Sequence, residues 1–210
     1  MMDLTKYPYI QLFPPTGSIA GDSLAFLSQN GKRSIAEHCA NAAQTSKALA
    51  ERFNLDPAIA ETAALLHDVS GVMRPEDMLD YAATLEWPLD KAERRYPFLL
   101  HQRLSALFAK ELFGVNEEEV LSAIGCHSTL RRGASDYDML LFLADKLSWD
   151  QEGTPPFFTI LSNALEHSLA HASLAYIRYV MDNRMILSPH RWLMDAKEWL
   201  EAAECNSSFD

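Results

Sequence analysis

Five helical segments of this 210-residue sequence each carry a side chain of a type that binds metal ions. Along the chain these side chains are His38, the adjacent pair His67 and Asp68, His101, His127 and Asp145. Most of them stand at the edge of an apolar helical stretch, and helices that carry such residues inward can build a site in the core of a bundle. Imidazole and carboxylate ligands together suit zinc, iron, manganese and similar ions.

The carboxylate of Asp68 needs a partner, because it closes the apolar run AALLHDVS at residues 63–70. An unpaired charge on a core-facing helix is costly, so it requires a cation, a strong donor or a metal. A carboxylate can bridge two ions. Two ions roughly 3.5–4 Å apart can clamp the attacking and leaving oxygens of a phosphoryl transfer and lower the pKa of a bound water to about 7. A satisfied, partly buried His–Asp pair without metal is the alternative.

The segments that must position these residues are predicted to be helical throughout. Gly31 ends a first helix, Asn54 ends a second, and Asp56 with Pro57 begins a third as N-cap and first helical residue. One further helix ends at Gly114, another begins with a cap at residue 116, and a third covers residues 135–149. A long helix over about 159–183 and a last one over about 189–203 follow. No strand of period two, repeat or glycine-rich phosphate loop is present. The pattern therefore predicts an all-α protein with seven or more helices.

Composition favours one domain, since 48% of the residues are hydrophobic and they are spread along the whole chain. We expect an N-terminal extension at residues 1–17, a helical domain at 18–203 whose site core covers about 32–146, and a disordered tail at 204–210.

Charge and cysteine content limit the partners and the compartment. The formal net charge of -11 disfavours nucleic acid and anionic membrane surfaces as partners. A small polyanionic substrate stays compatible with this charge, because a metal centre supplies positive charge locally. Three cysteines without CxxC spacing, no signal-peptide pattern and no stretch of ~18 apolar residues predict a cytoplasmic protein without a membrane partner.

The ordered motifs EHC, AALLHDVS, LLHQ, AIGCHSTL and LFLADKL resemble those of the HD-domain metal-dependent phosphohydrolases. The resemblance covers about residues 32–146 and is closest to the YqeK-like branch, the symmetrical bis(5′-nucleosyl)-tetraphosphatases. It implies a single HD-type helical bundle with additional C-terminal helices. It also implies hydrolysis of diadenosine tetraphosphate to two ADP by a metal-bound hydroxide. A homodimer is expected only by analogy with the family.

Carried over residue by residue, the resemblance implies two transition-metal ions and names their ligands. The first ion would be held by four residues and the second by two, with Asp68 bridging as the central catalytic residue; the ligands are His38, His67, Asp68 and Asp145 for the first and His101 and His127 for the second. Iron is the ion that the branch suggests, with manganese or another divalent metal as the alternative.

Three basic residues near these positions are candidate contacts for substrate phosphate: Lys146, Arg131 and Arg132. The segment after Lys146 reads LSWDQEGTPPF and lacks the Glu-Pro pair and the arginine of the tetraphosphatase branch. Two alternatives therefore stay open: hydrolysis of another nucleotide or small phosphate ester, and a non-catalytic nucleotide- or metal-binding regulator. His167 and His171 lie one helical turn apart but lack the HExxH pattern, so we interpret them as packing or surface residues.

Overall fold

The part of the chain that the structure describes, residues 2–149 and 152–207 of a computed structural model, contains helices and no strand. Its α-helices are α1 (Ile19–Gln29), α2 (Arg33–Arg52), α3 (Pro57–Leu66), α4 (Pro75–Thr84), α5 (Lys91–Arg95), α6 (His101–Phe113), α7 (Glu118–Cys126), α8 (Asp136–Leu147), α9 (Phe158–Ala164), α10 (Leu169–Asp182) and α11 (Arg191–Ser207). Short 3₁₀ helices occupy Val69–Val72 and Pro97–Leu100. The predicted all-α class is confirmed.

Local sequence signals set several helix ends. Gly31 and Gly114, the residues predicted to end α1 and α6, have φ angles of 73° and 71°. Such left-handed backbone favours glycine because it has no Cβ. At the start of α3 the Asp56 side chain accepts a hydrogen bond from the Ala58 N–H at 2.8 Å, and Pro57 occupies the first turn. Helix α7 begins one residue later than predicted, with Glu117 as its N-cap.

The buried apolar residues form two clusters, and helices α2 and α8 contribute to both. The first cluster is built mainly by α1, α3, α4, α6 and α7, and the second mainly by α8 to α11. Cys39 of α2 and Leu141 of α8 belong to the first, whereas Leu49 of α2 and Phe142 of α8 belong to the second. Helices α2 and α8 thus join the two packed cores.

The prediction of one long helix over about 159–183 is wrong, because the helix is interrupted between α9 and α10. Ser168 has extended backbone and acts as the N-cap of α10, where its hydroxyl accepts a hydrogen bond from the His171 N–H at 3.0 Å. The apolar pattern runs through the break because both helices pack on the same cluster, so periodicity alone did not reveal the cap.

The N-terminal segment, expected as an extension at residues 1–17, packs on the helical domain in the residues that the structure describes. Leu4, Tyr7 and Ile10 are buried in the first cluster, although this segment has no helical periodicity. Phe13 packs against Phe26 of α1 with ring centroids 5.7 Å apart. An irregular segment can bury apolar side chains without a periodic pattern, and for that reason the sequence reading missed this packing.

The predicted tail at 204–210 is helical as far as Ser207, where α11 ends, and residues 208–210 lie outside the described part. Glu204 lies 2.9 Å from the Arg178 guanidinium of α10, which ties the end of α11 to its neighbour. Within the described residues, no helix is both long enough and apolar enough to cross a membrane.

Candidate metal centre

The structure brings all six predicted ligand residues into one cluster. The Nε2 atoms of His101 and His127 lie 3.0 Å apart, and those of His38 and His67 lie 3.2 Å apart. Asp68 lies at the centre, with Oδ1 at 3.2 Å from His101 Nε2 and 3.5 Å from His127 Nε2, and with Oδ2 at 3.6 Å from His67 Nε2. Five elements that are distant in sequence thus place their ligand-type atoms within a few ångströms.

Two groups of atoms within this cluster have a spacing that suits a metal ion. His38, His67 and Asp145 form one group, and His67, Asp68 and His127 form the other; the atoms of each lie within 4.8 Å of one another. His67 belongs to both groups, whereas the sequence reading assigned the bridging role to Asp68 alone. The assignment of individual ligands to individual ions stays a prediction.

Three of the histidines are oriented by the same local device. His67, His101 and His127 each directly follow the last residue of a helix. The Nδ1–H of each ring donates to the carbonyl three residues earlier, at 2.6 Å to Ala64 O, 2.6 Å to Phe98 O and 2.8 Å to Ile124 O. This hydrogen bond places the proton on Nδ1, so that Nε2 faces the cluster with a lone pair.

His38 is oriented from a distance rather than locally. It lies within α2, and its Nδ1 is 3.2 Å from the carbonyl oxygen of Ser148, the residue that ends α8. Its Nε2 lies 2.9 Å from Oδ1 of Asp145, one turn earlier on α8. The packing of α2 against α8 between the two cores therefore sets this half of the cluster.

The electrostatics of the cluster favour positive charge at its centre. Burial alone raises the pKa of Asp68, but neighbouring His67 and His101 hold it well below its usual range. Burial likewise raises the pKa of Asp145, and the charge of Lys146 is the largest effect that holds it well below. Burial lowers the pKa of His67, yet the Asp68 carboxylate raises it well above its ordinary value overall. The carboxylates thus favour positive charge among themselves.

The donor set fits metal binding in two further respects. Oδ1 of Asp68 is buried and accepts no hydrogen bond. This is costly for a carboxylate oxygen unless a cation binds to it. Burial lowers the pKa of His127 to about 4, so this imidazole is neutral at neutral pH, as a ligand must be. Nitrogen and carboxylate ligands in this combination suit first-row transition metals.

A cavity of about 510 Å³ opens onto the cluster. Its polar lining includes ligand-type residues together with Ser128 and Lys146. Lys146 Nζ donates to Asp145 Oδ2 at 2.7 Å and to the His127 carbonyl at 2.8 Å. The ammonium also lies over the Phe142 ring, 4.6 Å from its centroid, and because Lys146 lines the cavity it offers positive charge to a group inside.

The other sequence candidates lie elsewhere. Arg131 donates to Ser122 Oγ at 2.6 Å, and Arg132 lies 3.7 Å from Glu198 of α11; neither lines the cavity. His167 and His171 are exposed, with ring centroids 5.0 Å apart, and they form no group with a third ligand among the described residues.

The sequence reading missed several residues that shape the cavity. Ser128 Oγ lies 3.2 Å from His101 Nε2, and Phe98 stacks on the His101 ring. Trp149, Phe157 and Tyr176 form an aromatic wall linked by edge contacts. Phe98, Ser128 and Trp149 lie close in sequence to His101, His127 and Asp145, and this proximity could have indicated them. Phe157 is the last residue of the segment LSWDQEGTPPF, which the sequence had already marked as a departure from the family pattern. No local signal indicated Tyr176, because it reaches the cavity through tertiary packing.

Fold and site together define a class, an all-helical protein with a buried His/Asp cluster able to hold metal ions. The HD domain family model matches residues 35–150, more than half of the chain. The chain therefore belongs to the HD-domain family. The sequence prediction of an HD-superfamily hydrolase is confirmed at the level of the family.

Similar proteins agree with this assignment. An uncharacterized protein in the pepC 5′ region of Lactococcus lactis subsp. cremoris is 38% identical over 139 residues, covering 66% of this chain and 71% of that relative. The symmetrical bis(5′-nucleosyl)-tetraphosphatase of Bacillus subtilis is 31% identical over 108 residues, covering 51% of this chain and 58% of that enzyme. The match thus spans a little over half of the tetraphosphatase.

The fold has a counterpart among solved structures. The crystal structure of a predicted HD superfamily hydrolase involved in NAD metabolism, from Clostridium acetobutylicum, superimposes with a TM-score of 0.77 at 22% sequence identity. The likeness covers 92% of this chain and 100% of that one, so it extends beyond the family match to the C-terminal helices. At this level of sequence identity, the structural similarity establishes the fold alone.

Proposed function

We propose that this chain is a dimetal phosphohydrolase that cleaves diadenosine tetraphosphate symmetrically into two ADP. One observation carries the proposal: four histidine Nε2 atoms converge on Asp68 and Asp145 while each Nδ1 faces a backbone carbonyl. Purely structural histidines would not need every Nε2 turned toward the same two carboxylates. We propose His38, His67, Asp68, His101, His127 and Asp145 as the ligands, with iron as the ion and manganese as a substitute.

The residues of the chain position both partners of the reaction. When bound, the ions would supply positive charge to phosphate oxygens and make a water molecule acidic enough to attack. Asp68 faces both halves of the cluster and fixes where that charge is held. The charge of Lys146 would attract a phosphate oxygen, while two of its donors orient Asp145 and the His127 backbone. Arg131 and Arg132 are left out of this proposal because they lie away from the cavity.

The reaction is a hydrolysis at the middle of the tetraphosphate. The oxygen of water bonds to one of the two central phosphorus atoms, and the bond from that phosphorus to the bridging oxygen breaks. The leaving ADP keeps the bridging oxygen, and the proton released from water passes to solvent. The support for this substrate is the similarity to the Bacillus subtilis tetraphosphatase and a cavity large enough for part of a dinucleotide.

Product analysis tests the proposal directly. The purified protein, loaded with ferrous iron or manganese, is incubated with diadenosine tetraphosphate and the nucleotides are separated by chromatography. ADP as sole product supports the proposal, and the exposed His167→Ala variant serves as the histidine control that retains full turnover. ATP with AMP contradicts symmetrical cleavage. Binding without turnover favours the regulator alternative, and turnover of other phosphate esters alone favours the broader hydrolase.

A further inference from the structure

Phe98 is an exposed aromatic ring placed directly beside the candidate ligands. It lines the cavity of the metal cluster, yet 46% of its surface is exposed. One face of its ring stacks on the imidazole of His101, with ring centroids 4.5 Å apart and an interplanar angle of 16°. The stack covers one face, so the exposure leaves apolar ring surface available to a molecule that enters the cavity.

The ring is also held in a fixed place. Phe98 lies in the 3₁₀ helix Pro97–Leu100, which begins at a proline, and its carbonyl accepts the Nδ1–H of His101 at 2.6 Å. Backbone and side chain of Phe98 are thus both attached to the same candidate ligand. An apolar ring that is preorganised beside a polar site can bind a flat partner with little further loss of conformational entropy.

We propose that Phe98 is the platform on which a nucleobase of the substrate stacks. This inference rests on the proposed function and adds the residue that recognises the nucleoside part. A base stacked on the outer face of Phe98 would be separated from His101 only by the Phe98 ring. The phosphates of the same molecule would then extend toward the cluster. Every base has a π-face, so such a platform accepts adenine without reading its hydrogen-bonding edge.

The charge of the site supports a nucleobase rather than phosphate as the partner of Phe98. The polar groups that can attract phosphate, the ligand cluster and Lys146, lie in the cavity lining, and an aromatic ring offers nothing to a hydrated anion. Met185, 48% exposed, is a second apolar residue of the lining and comes from the segment between α10 and α11. Half-exposed apolar groups therefore line the same cavity from two distant parts of the chain.

The test compares the binding of a ligand with a base and one without it. Isothermal titration calorimetry measures the affinity of the metal-loaded protein for ADP and for inorganic pyrophosphate. In Phe98→Ala the Kd for ADP is expected to rise by roughly 5- to 140-fold, which corresponds to about 1–3 kcal/mol per stacked base. The Kd for pyrophosphate and the metal content should stay at wild-type values.

Three further variants separate stacking from structural effects. Phe98→Tyr keeps a flat ring and should bind ADP nearly as well as the wild type, whereas Phe98→Leu keeps apolar bulk and should lose affinity. Phe158→Ala is the matched control, because Phe158 is 43% exposed and does not line the cavity. Its affinity for ADP should be unchanged.

Each outcome of the binding experiment either supports or overturns the inference. Equal weakening of ADP and pyrophosphate binding in Phe98→Ala would show that the residue acts through His101, and an unchanged Kd for ADP would show that no base stacks there; either result overturns the inference. Selective loss of ADP binding upholds it. Turnover of diadenosine tetraphosphate by the wild type is scored separately, so selective ADP loss without that turnover refutes the proposed substrate while the platform stands.

Discussion

Removing the Lys146 ammonium group is expected to weaken metal binding without unfolding the protein. Lys146 donates to Asp145 Oδ2 at 2.7 Å, and Asp145 Oδ1 lies 2.9 Å from His38 Nε2. In Lys146→Met the apolar stem is kept and packs as before, but the carboxylate loses the donor that fixes its orientation. The substitution therefore disturbs the orientation of a candidate metal ligand and leaves the packing of the core unchanged.

The size of this effect follows from the hydrogen bond that Lys146 donates to the carboxylate. A hydrogen bond to a charged group contributes about 1.5–3 kcal/mol, which is about a 10- to 100-fold change in an equilibrium constant. Loss of a residue that orients a metal ligand typically weakens metal affinity within the same range. We therefore expect the Kd for manganese, measured by competition with a chelator of known affinity, to rise about 10- to 100-fold.

Lys47→Met is the matched control. Lys47 pairs with Glu61 on the exposed surface of α2 and α3, so the same substitution there should leave metal affinity unchanged. Equal metal affinity of Lys146→Met and the wild type would refute the proposed role of Asp145 as a ligand oriented by Lys146. A loss of affinity in both lysine variants would point to a general effect of the substitution on the fold instead.

Three further predictions concern the site, the stability of the fold and a residue outside the site. Asp68→Ala should lose bound metal and turnover while circular dichroism stays near wild type; hydrolysis at the wild-type rate would place the reaction elsewhere. Arg103→Met removes a guanidinium nitrogen that lies 3.3 Å from the Glu93 carboxylate. Because Glu93 is only 1% exposed, urea denaturation should show a loss of about 3 kcal/mol in the free energy of unfolding. An unchanged free energy of unfolding would refute this. His167→Ala should leave turnover unchanged, and a large loss would indicate a second site.

The same Glu93 carboxylate predicts a pH dependence of stability. Burial raises its pKa, but His190, the Asp90 N–H and Arg103 together lower it below the ordinary 4.5. A lowered folded-state pKa stabilises the protein above the unfolded value, and this contribution is lost as the pH falls through the folded value. Glu93→Gln should therefore flatten the acid side of the stability profile measured by denaturation between about pH 3 and 6. A profile as steep as that of the wild type would contradict this role.

Helix ends were predictable where one residue determines the backbone. Gly31 and Gly114 adopt left-handed angles, and Asp56 caps α3, as the sequence indicated. The break before α10 was not predictable from periodicity, because Ser168 interrupts the helix without interrupting the apolar pattern. The N-terminal segment was missed for the opposite reason: it buries Tyr7 and its apolar neighbours without any period.

For the site, the sequence yielded the residue types and their order but not their orientation. Convergence of the six candidates depends on the packing of α2 against α8 and of α3, α6 and α7 against one another. The local hydrogen bond from each helix-ending histidine to the carbonyl three residues earlier could have been anticipated from position alone. The placement of Arg131 on Ser122, away from the cavity, could not, because it depends on how α7 meets α8.

The most direct test of the metal centre is anomalous X-ray diffraction from crystals of the protein grown with manganese or ferrous iron. A dimetal centre at this cluster should give two anomalous peaks per chain, roughly 3.5–4 Å apart, on either side of Asp68. One peak should lie near His38 and Asp145 and the other near His101 and His127. Absence of peaks in this cluster at saturating metal, or peaks only elsewhere on the chain, would show that these residues do not form a metal centre.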